Sequence, residues 1–593
     1  MCRPPATSWV SRNSNKFAML IYLFKASNNS STLSFPRVFP FPPFPSILRL
    51  SSAFDAAMYS LFVFIFVCGA HFVSAAAVPP VSGYAPRPAT CPSTPLVRTA
   101  TGISSSESAY IAARKPIASL ALGKWLQRVN RNFSTANLPT VALTTSGGGL
   151  RSLLIGAGVV QAFDGRDSNV GTSGLYQGIT YQAGLSGGGW FLSSLAGNNY
   201  PTISSLEKNL WAQAFAESLA DPAGPLAPVA YEQITVDILA KQAAGYTPTI
   251  VDPYGRLLSY QLLYGPDGGV ADELSSITGL SNFTSHNVPF PIITALNVET
   301  ANGECLPPNN SVIYEFSPYE FGSFDSGVNA FTQTKYLGSI LSNGKPTQGC
   351  ETNYDNLGFI LGTSSDVFNE FCTTFPAVAS TPGLIANLTA LINQTHALTT
   401  MDEYAIYPNP FYNYAHSSLV SAQKNLTLVD GGESLQNNPL FPFLQPARNI
   451  NVILVNDNSA DTSANFPNGS EIYQTYMQAQ MAGLTRMPVI PPIDTFVSKG
   501  LNIRPTFFGC NDTRKITIVY LPNHNYTFPS GEPTVKLQYT PAETSGMIMN
   551  GQQVGTYGMS STFPTCLGCA IMKKTGTKLP ATCAGCFSTF CYN

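Results

Sequence analysis

GLSGGGW, residues 184–190, fits the G-x-S-x-G pattern of a serine held on a sharp turn between a strand and a helix. The apolar run before it predicts a strand over 179–185, and Trp190 to Leu195 predicts the start of the following helix. Glycines beside the serine relieve the steric cost of such a turn and let a substrate carbonyl approach the hydroxyl. Ser186 is therefore the candidate nucleophile.

A second glycine cluster lies upstream, in the run Ser146-Gly147-Gly148-Gly149-Leu150-Arg151. It follows an apolar run, 141–143, that predicts a short buried strand, and it precedes a predicted helix over 150–163. Attack by a serine on an ester creates an oxyanion, which backbone N–H groups at a helix N-terminus can stabilise. The glycine loop is the place in this chain where we expect such donors.

The order of these segments, strand, glycine loop, helix, strand, serine turn and helix, predicts an α/β fold with a mostly parallel central sheet flanked by helices. Further strands are predicted at 426–429 and 452–455, and a helix at 105–130. The segment of about 201–420 is broken by Pro and Gly, and we expect it to form insertions around the core that act as a cap or lid.

Asp430 is the candidate base for Ser186. It ends the predicted strand at 426–429 and is followed by Gly431 and Gly432, so its carboxylate is expected at the carboxyl edge of the sheet, where ligands bind. Taken alone, Asp-Gly is also a common turn dipeptide. The histidines outside the N-terminal region lack a comparable glycine-flanked context at a strand end: they are His286, His396, His416 and His524.

The three blocks 146–151, 184–188 and 430–432 resemble those of the cytosolic phospholipase A2-type catalytic domain, and the secreted fungal phospholipase B / lysophospholipase family still more closely. Further similar stretches are 314–325, 358–365, 436–440 and the cysteine-rich end. The resemblance runs from about Cys91 to Asn593, with the three blocks in order. It implies a catalytic domain of that fold over 91–593, with a disulfide-rich C-terminal end.

The resemblance also implies roles for single residues. Ser186 matches the nucleophile and Asp430 the base of a Ser/Asp dyad, while Gly148 and Gly149 match the oxyanion-hole glycines and Arg151 the phosphate-binding arginine. The implied activity is hydrolysis of the acyl ester of lysophospholipids at a membrane or micelle interface, with deacylation of diacyl phospholipids as a further activity. No cofactor and no metal are expected. The net charge of −2 gives no indication of a nucleic-acid partner.

Two alternatives stay open on the sequence. One is a carboxylesterase or lipase with a Ser-His-Asp triad, because triad members meet in space rather than in sequence. The other is an inactive secreted glycoprotein that binds lipid or cell-wall material. Two segments, 434–438 and 456–461, depart from the family pattern, which affects substrate fit more than the predicted chemistry.

The N-terminus predicts export. An apolar stretch, Leu61 to Ala70, precedes the small residues 74–77, as in a signal peptide. We therefore interpret 58–76 as a signal peptide, 1–57 as an extension from an over-extended gene model, and 77–90 as an extended lead-in. A signal anchor is the alternative, but the apolar stretch is shorter than the about 20 residues that a membrane span needs. The protein is expected to be secreted or held at the cell wall, without a GPI-anchor signal or a transmembrane span after cleavage.

Cysteines and glycosylation motifs agree with export. Ten cysteines follow residue 80, an even number that predicts disulfides, although Cys566-x2-Cys569 and Cys583-x2-Cys586 also have zinc-site spacing. Charged residues make up only 11% of the chain. Glycans would compensate for that low charge. The N-x-S/T acceptors after residue 80 are Asn132, Asn282, Asn309, Asn387, Asn393, Asn425, Asn468, Asn511 and Asn525.

Overall fold

The structure, a computed structural model, describes residues 82–222, 224–372 and 383–592. The compact unit that they form runs over Val81–Asn593. The predicted N-terminal extension and signal peptide lie outside the described residues, as does the first part of the lead-in. The described part of the lead-in includes a short strand, Arg87–Ala89, that pairs with Cys350–Thr352.

The strands in the described residues are, in chain order, β1 (Arg87–Ala89), β2 (Val97–Thr99), β3 (Val141–Thr145), β4 (Tyr181–Gly184), β5 (Phe290–Asn297), β6 (Ile313–Phe316), β7 (Glu320–Ser323), β8 (Ala330–Gln333), β9 (Leu341–Ser342), β10 (Lys345–Pro346), β11 (Cys350–Thr352), β12 (Ala405–Pro408), β13 (Asn425–Asp430), β14 (Val452–Asp457), β15 (Thr506–Phe508) and β16 (Thr517–Pro522).

The helices of seven or more residues are α1 (Ser105–Val129), α2 (Gly149–Phe163), α3 (Ser186–Gly197), α4 (Ala227–Ala243), α5 (Val251–Leu262), α6 (Leu357–Thr363), α7 (Leu384–Ile392), α8 (Ser470–Met481), α9 (Pro541–Thr556), α10 (Phe563–Met572) and α11 (Cys583–Phe590). Shorter α-helices cover Ile203–Leu206, Ala212–Ala214, Ser281–Thr284, Phe441–Leu444 and Ile493–Ser498.

One large sheet organises the fold. Its strands run in the order β15-β16-β14-β3-β4-β5-β6-β7-β8-β2, with β13 pairing β5 and β12 pairing β13. The central pairs from β16 to β5 are parallel, and antiparallel strands extend the sheet on both sides. Both β3 and β4 are buried along their whole length, as is typical of central strands in a parallel sheet that is covered on both faces. The predicted α/β class with a parallel central sheet is confirmed.

Strand β5 pairs with three other strands, and this pairing brings the ends of β4 and β13 together. It pairs with β4 over Phe290–Ile293, with β6 over Ile293–Leu296, and with β13 over Ala295–Asn297. A strand has two pairing edges, and β6 occupies one of them, so β13 must lie on the same edge as β4. Strand β13 therefore lies beside β5 just beyond the point where β4 ends. The two strands run in opposite directions, so their ends meet.

The elements predicted around the glycine motifs are confirmed, with boundaries shifted by a few residues. The serine-turn helix begins earlier than predicted, at Ser186 itself rather than at Trp190. The segment of about 201–420, expected to form insertions, also supplies β5 to β8 of the central sheet. Pro291 lies inside β5, where a proline argues against a central strand, and that made the segment look interrupted.

Five disulfides involve all ten cysteines of the described residues: Cys91–Cys350, Cys305–Cys372, Cys510–Cys591, Cys566–Cys586 and Cys569–Cys583. The last two join α10 to α11, so the cysteines with zinc-site spacing are bonded to each other. The disulfide-rich C-terminal end is confirmed, and the zinc alternative is wrong. Among the described residues, no helix is long and apolar enough to cross a membrane.

Candidate active site

Ser186 lies on a strained turn at the N-terminus of α3. Its φ is 49°, in the left-handed region that residues with a side chain rarely adopt. The turn is tight on both sides. A Cβ atom at Gly184 would lie 2.3 Å from the Gly188 carbonyl oxygen, and one at Gly188 would lie 2.2 Å from that of Thr145. Only glycine fits at these two positions, which explains the local sequence.

Ser364, which follows α6, fixes the backbone of this turn. The Ser186 N–H donates to the Ser364 carbonyl oxygen at 2.9 Å and to the Ser364 hydroxyl at 3.1 Å. That hydroxyl donates in turn to the Thr294 carbonyl oxygen of β5 at 2.7 Å. The same Ser364 carbonyl also accepts from the Gly431 N–H at 3.4 Å. One peptide group thus connects the serine turn to the loop that follows Asp430.

Asp430 lies at the end of β13, directly beyond the end of β4. Gly184 pairs with Ile293 and Asp430 with Ala295, so the two strand ends are two residues apart on β5, about 7 Å. A Cβ atom at Gly431 would lie 2.9 Å from the Leu185 Cβ, so the two loops are in close contact. Both Ser186 and Asp430 are largely buried, with 6% and 8% of their surface exposed.

Two hydrogen bonds orient Asp430. Its N–H donates to the Asp366 carbonyl oxygen at 2.8 Å, and its Oδ1 accepts from the Gly432 N–H at 2.8 Å. Asp366 belongs to the same short segment as Ser364. The residues just after α6 therefore hold both the serine turn and the aspartate.

Buried carboxyl groups lie behind Asp430. Burial raises the pKa of Asp366 well above its usual range, and the charges of Glu433 and Asp430 add to this effect. Burial likewise raises the pKa of Glu403 to about 9, with a contribution from the charge of Asp402. With a pKa of about 9, Glu403 is expected to be protonated at neutral pH.

The glycine loop lies against the serine turn. A Cβ atom at Gly187 would lie 2.1 Å from the Gly149 carbonyl oxygen, and one at Gly147 would lie 3.0 Å from the Ser186 Cβ. Gly148 and Gly149 have φ values of 135° and 60° and open helix α2. Within the described part of the chain, neither of their N–H groups donates a hydrogen bond. The loop thus presents unsatisfied donors at a helix N-terminus beside Ser186.

Asn437 holds this loop in place. The Gly147 N–H donates to the Asn437 carbonyl oxygen at 3.2 Å and to its Oδ1 at 3.0 Å. The Asn437 amide donates to the Ser459 hydroxyl at 2.9 Å, and its N–H donates to the Glu471 carboxylate at 3.0 Å. The stretch 436–440 is similar to the family pattern, but sequence reasoning assigned no role to Asn437. The signal that could have found it is an amide side chain soon after the Asp-Gly-Gly motif.

Arg151 supports the glycine loop from inside. Its guanidinium donates to the Asn458 carbonyl oxygen at 3.0 Å, to the Glu532 carbonyl oxygen, and to the Thr534 hydroxyl at 3.1 Å. A Cβ atom at Gly148 would lie 2.5 Å from its Nη2. Burial lowers the pKa of Arg151 to about 10, so it stays charged at neutral pH. Among the described residues, three of its five N–H donors have a recorded acceptor, and the phosphate contact stays a prediction.

The four histidines that could complete a triad have other contacts. His396 pairs with Asp402 at 2.8 Å, and the His286 ring packs against Tyr110. The rings of His416 and His524 pack against tyrosines. None of these contacts involves the serine turn or the glycine loop. The role of Asp430 as the base stays a prediction.

The predicted glycosylation sites are accessible. Asn132, Asn387, Asn393, Asn425, Asn511 and Asn525 are exposed, and Asn282, Asn309 and Asn468 are partly buried. Glycosylation of these residues stays a prediction.

Comparisons with known proteins agree with the geometry. A family model described as the lysophospholipase catalytic domain matches residues 141–593. Lysophospholipase 2 of Aspergillus fumigatus is 39% identical over 556 residues, which cover 86% of this chain and 93% of that protein. Lysophospholipase 1 of Saccharomyces cerevisiae is 36% identical over 568 residues, which cover 87% and 84%.

Solved structures show the same fold. Human GIVD cytosolic phospholipase A2 superposes with a TM-score of 0.63 at 16% sequence identity, over 82% of this chain and 69% of that one. The same protein in complex with methyl gamma-linolenyl fluorophosphonate superposes with a TM-score of 0.58.

Proposed function

The chain belongs to the lysophospholipase family of ester hydrolases, and we propose that it is a secreted lysophospholipase of the phospholipase B type. Its substrates are lysophospholipids such as lysophosphatidylcholine, which it cleaves to a fatty acid and glycerophosphocholine, and it also deacylates diacyl phospholipids. The observation that carries this proposal is the meeting of β4 and β13 on β5, with Ser186 after one strand and Asp430 at the end of the other.

In the first half of the reaction, the Asp430 carboxylate takes the proton of the Ser186 hydroxyl as the oxygen attacks the acyl carbonyl carbon. The carbonyl oxygen becomes an oxyanion, which the N–H groups of Gly148 and Gly149 stabilise. Each such donor contributes about 3 kcal/mol to stabilising the transition state. The bond to the glycerol oxygen then breaks, and Asp430 returns the proton to that oxygen.

In the second half, water replaces the alcohol. Asp430 takes a proton from the water as its oxygen attacks the acyl-enzyme carbonyl, and the Ser186 oxygen leaves with that proton. The products are the free fatty acid and regenerated enzyme.

Arg151 is the candidate phosphate-binding residue. A charged guanidinium beside the oxyanion loop suits a phosphate, which it can contact with two N–H groups at once. The bonds of Arg151 to Asn458 and Thr534 support a second role, in which it keeps the glycine loop in shape.

Five disulfides support an extracellular location, because disulfides persist in oxidising compartments. The accessible glycosylation motifs agree with it. The activity is tested by expressing the full chain with secretion, recovering the protein from the medium, and analysing its products from lysophosphatidylcholine by mass spectrometry. We expect fatty acid and glycerophosphocholine in equal amounts. Phosphocholine as a product, or protein retained in the cell, would contradict the proposal.

A further inference from the structure

A cavity of about 590 Å³ lies beside the Asp430 loop and has no role in the chemistry above. It is bounded by the end of β5, the start of β6, the loop between β7 and β8, and the end of α8. Gln436 forms part of its wall, and the next residue, Asn437, is the one that holds the glycine loop. The volume is typical of sites for small ligands.

The wall of the cavity is negatively charged. Glu299, Glu304 and Asp325 line it, and its described lining contains no Lys, Arg or His. Their oxygens accept hydrogen bonds from neutral groups: Glu304 from the Glu299 N–H at 3.1 Å and Asp325 from the Gly327 N–H at 2.8 Å. In the part of the chain that the structure describes, none of the three forms a salt bridge. The negative charge is therefore held in position without being neutralised.

Asn297, at the end of β5, is an independent sign of a ligand. Only 2% of its surface is exposed, and it lines the cavity. Its amide nitrogen donates to Glu299, while its Oδ1 has no hydrogen-bond partner among the described residues. An unsatisfied buried acceptor is costly, so a donor or a positive charge is expected to lie against it.

The remaining chemistry indicates an organic cation. Phe324 and Phe441 also line the cavity, and aromatic faces together with carboxylates are the groups that recognise quaternary ammonium ions. The Arg448 guanidinium already lies 5.3 Å from the centroid of the Phe324 ring, so we assign Phe441 to the ligand. No group of three or more His, Cys, Asp and Glu side chains within the described ranges could hold a metal ion.

We propose that this cavity binds the ammonium group of a phospholipid head group, such as choline, while the acyl ester lies at Ser186. This rests on the proposed function. Asn297 is four residues beyond Ile293, the partner of Gly184 at the serine turn, which is about 13 Å along β5. The cavity therefore lies close enough to the reacting ester for one substrate molecule to reach both. It gives the enzyme a preference for head groups that carry a positive charge.

The test uses the full secreted protein and a double variant, Glu304→Gln with Asp325→Asn. Both changes remove charge and keep an oxygen for the existing N–H donors. The matched control removes two exposed charges elsewhere, with Glu232→Gln and Asp494→Asn. Each protein is assayed for kcat/KM on lysophosphatidylcholine and on lysophosphatidylglycerol of the same acyl chain, and the thermal midpoint shows that each is folded.

We expect the ratio of kcat/KM for choline to that for glycerol head groups to fall at least tenfold in the double variant and to stay unchanged in the control. The change should appear mainly in KM. An unchanged ratio, or an equal loss on both substrates, would overturn the proposal.

A binding measurement distinguishes the head-group proposal from the proposed hydrolysis of lysophospholipids. In a Ser186→Ala background, the Kd of the non-hydrolysable ether analogue of lysophosphatidylcholine should rise at least tenfold with the double variant, even if the wild-type protein cleaves neither substrate. If hydrolysis is absent but this shift is found, only the proposed function fails. If choline chloride binds in a way that the double variant weakens, while the Kd of the ether analogue stays the same, the cavity holds a free cation and the head-group assignment is wrong.

Discussion

The N–H of Ser186 donates to both the carbonyl oxygen and the hydroxyl of Ser364, at 2.9 and 3.1 Å. Because the Ser186 backbone has a positive φ, the turn needs such support to persist. The Ser364 carbonyl also accepts from the Gly431 N–H. Ser364 is thus a positioning residue for both members of the proposed dyad.

Ser364→Ala should lower kcat with little change in KM. The substitution removes one acceptor of the Ser186 N–H and the bond to Thr294, and a hydrogen bond of this kind contributes about 1 kcal/mol, or about fivefold in rate. Steady-state kinetics on lysophosphatidylcholine measures the effect. Ser193→Ala is the matched control. The Ser193 hydroxyl is buried on α3, the helix that begins at Ser186, and has no hydrogen-bond partner in the described structure. Equal losses in the two variants would argue against a positioning role.

Asn437→Ala should impair the oxyanion loop. Without the Asn437 amide, the Gly147 N–H loses its side-chain acceptor, and the donors of Gly148 and Gly149 shift from their positions. Loss of one oxyanion donor costs about 100-fold in kcat. Asn438→Ala provides the comparison, because the Asn438 amide is buried but has no hydrogen-bond partner among the described residues. If Asn438→Ala reduces kcat as strongly as Asn437→Ala, the loss reflects packing rather than the loop.

Glu403→Gln should stabilise the protein increasingly as the pH rises. Burial raises the pKa of Glu403 to about 9 in the folded state, while it is about 4.3 in the unfolded chain. The unfolded chain therefore releases a proton that the folded protein keeps, and stability is lost as the pH rises toward 9. This costs at most about 1.4 kcal/mol per pH unit.

Thermal midpoints at pH 5 and pH 8 check this. The midpoint of Glu403→Gln should exceed that of the wild type by several degrees more at pH 8 than at pH 5, at about 1 °C per kcal/mol for a unit of this size. Glu232→Gln, which changes an exposed carboxylate, should show no such trend. A difference that does not depend on pH would mean that Glu403 is ionised in the folded protein.

Local motifs were enough to predict part of the site. The serine turn and the glycine loop are each formed by residues that adjoin in sequence, since Gly184 and Gly188 permit the turn and Gly148 and Gly149 permit the loop. Asp430 was predictable because it ends an apolar strand before two glycines.

The supporting residues were not predictable in the same way. Ser364 is 178 residues from Ser186, and Asn437 is 290 residues from Gly147. A single serine or asparagine gives no local pattern, and only the pairing of β13 with β5 brings these segments together. The proline in β5 hid that strand as well. The cavity could not be anticipated, because its carboxylates come from two separate segments, the β5–β6 connection and the β7–β8 loop.

The most direct test of the Ser/Asp dyad compares Ser186→Ala and Asp430→Asn with the wild type on lysophosphatidylcholine. Both variants should fold with an unchanged thermal midpoint and lose at least about 10⁴-fold in kcat. Asp494→Asn serves as the control for an exposed aspartate, and His286→Ala, His396→Ala, His416→Ala and His524→Ala should all keep their activity. Substantial activity in Asp430→Asn, together with its loss in one of the histidine variants, would contradict the dyad and indicate a triad.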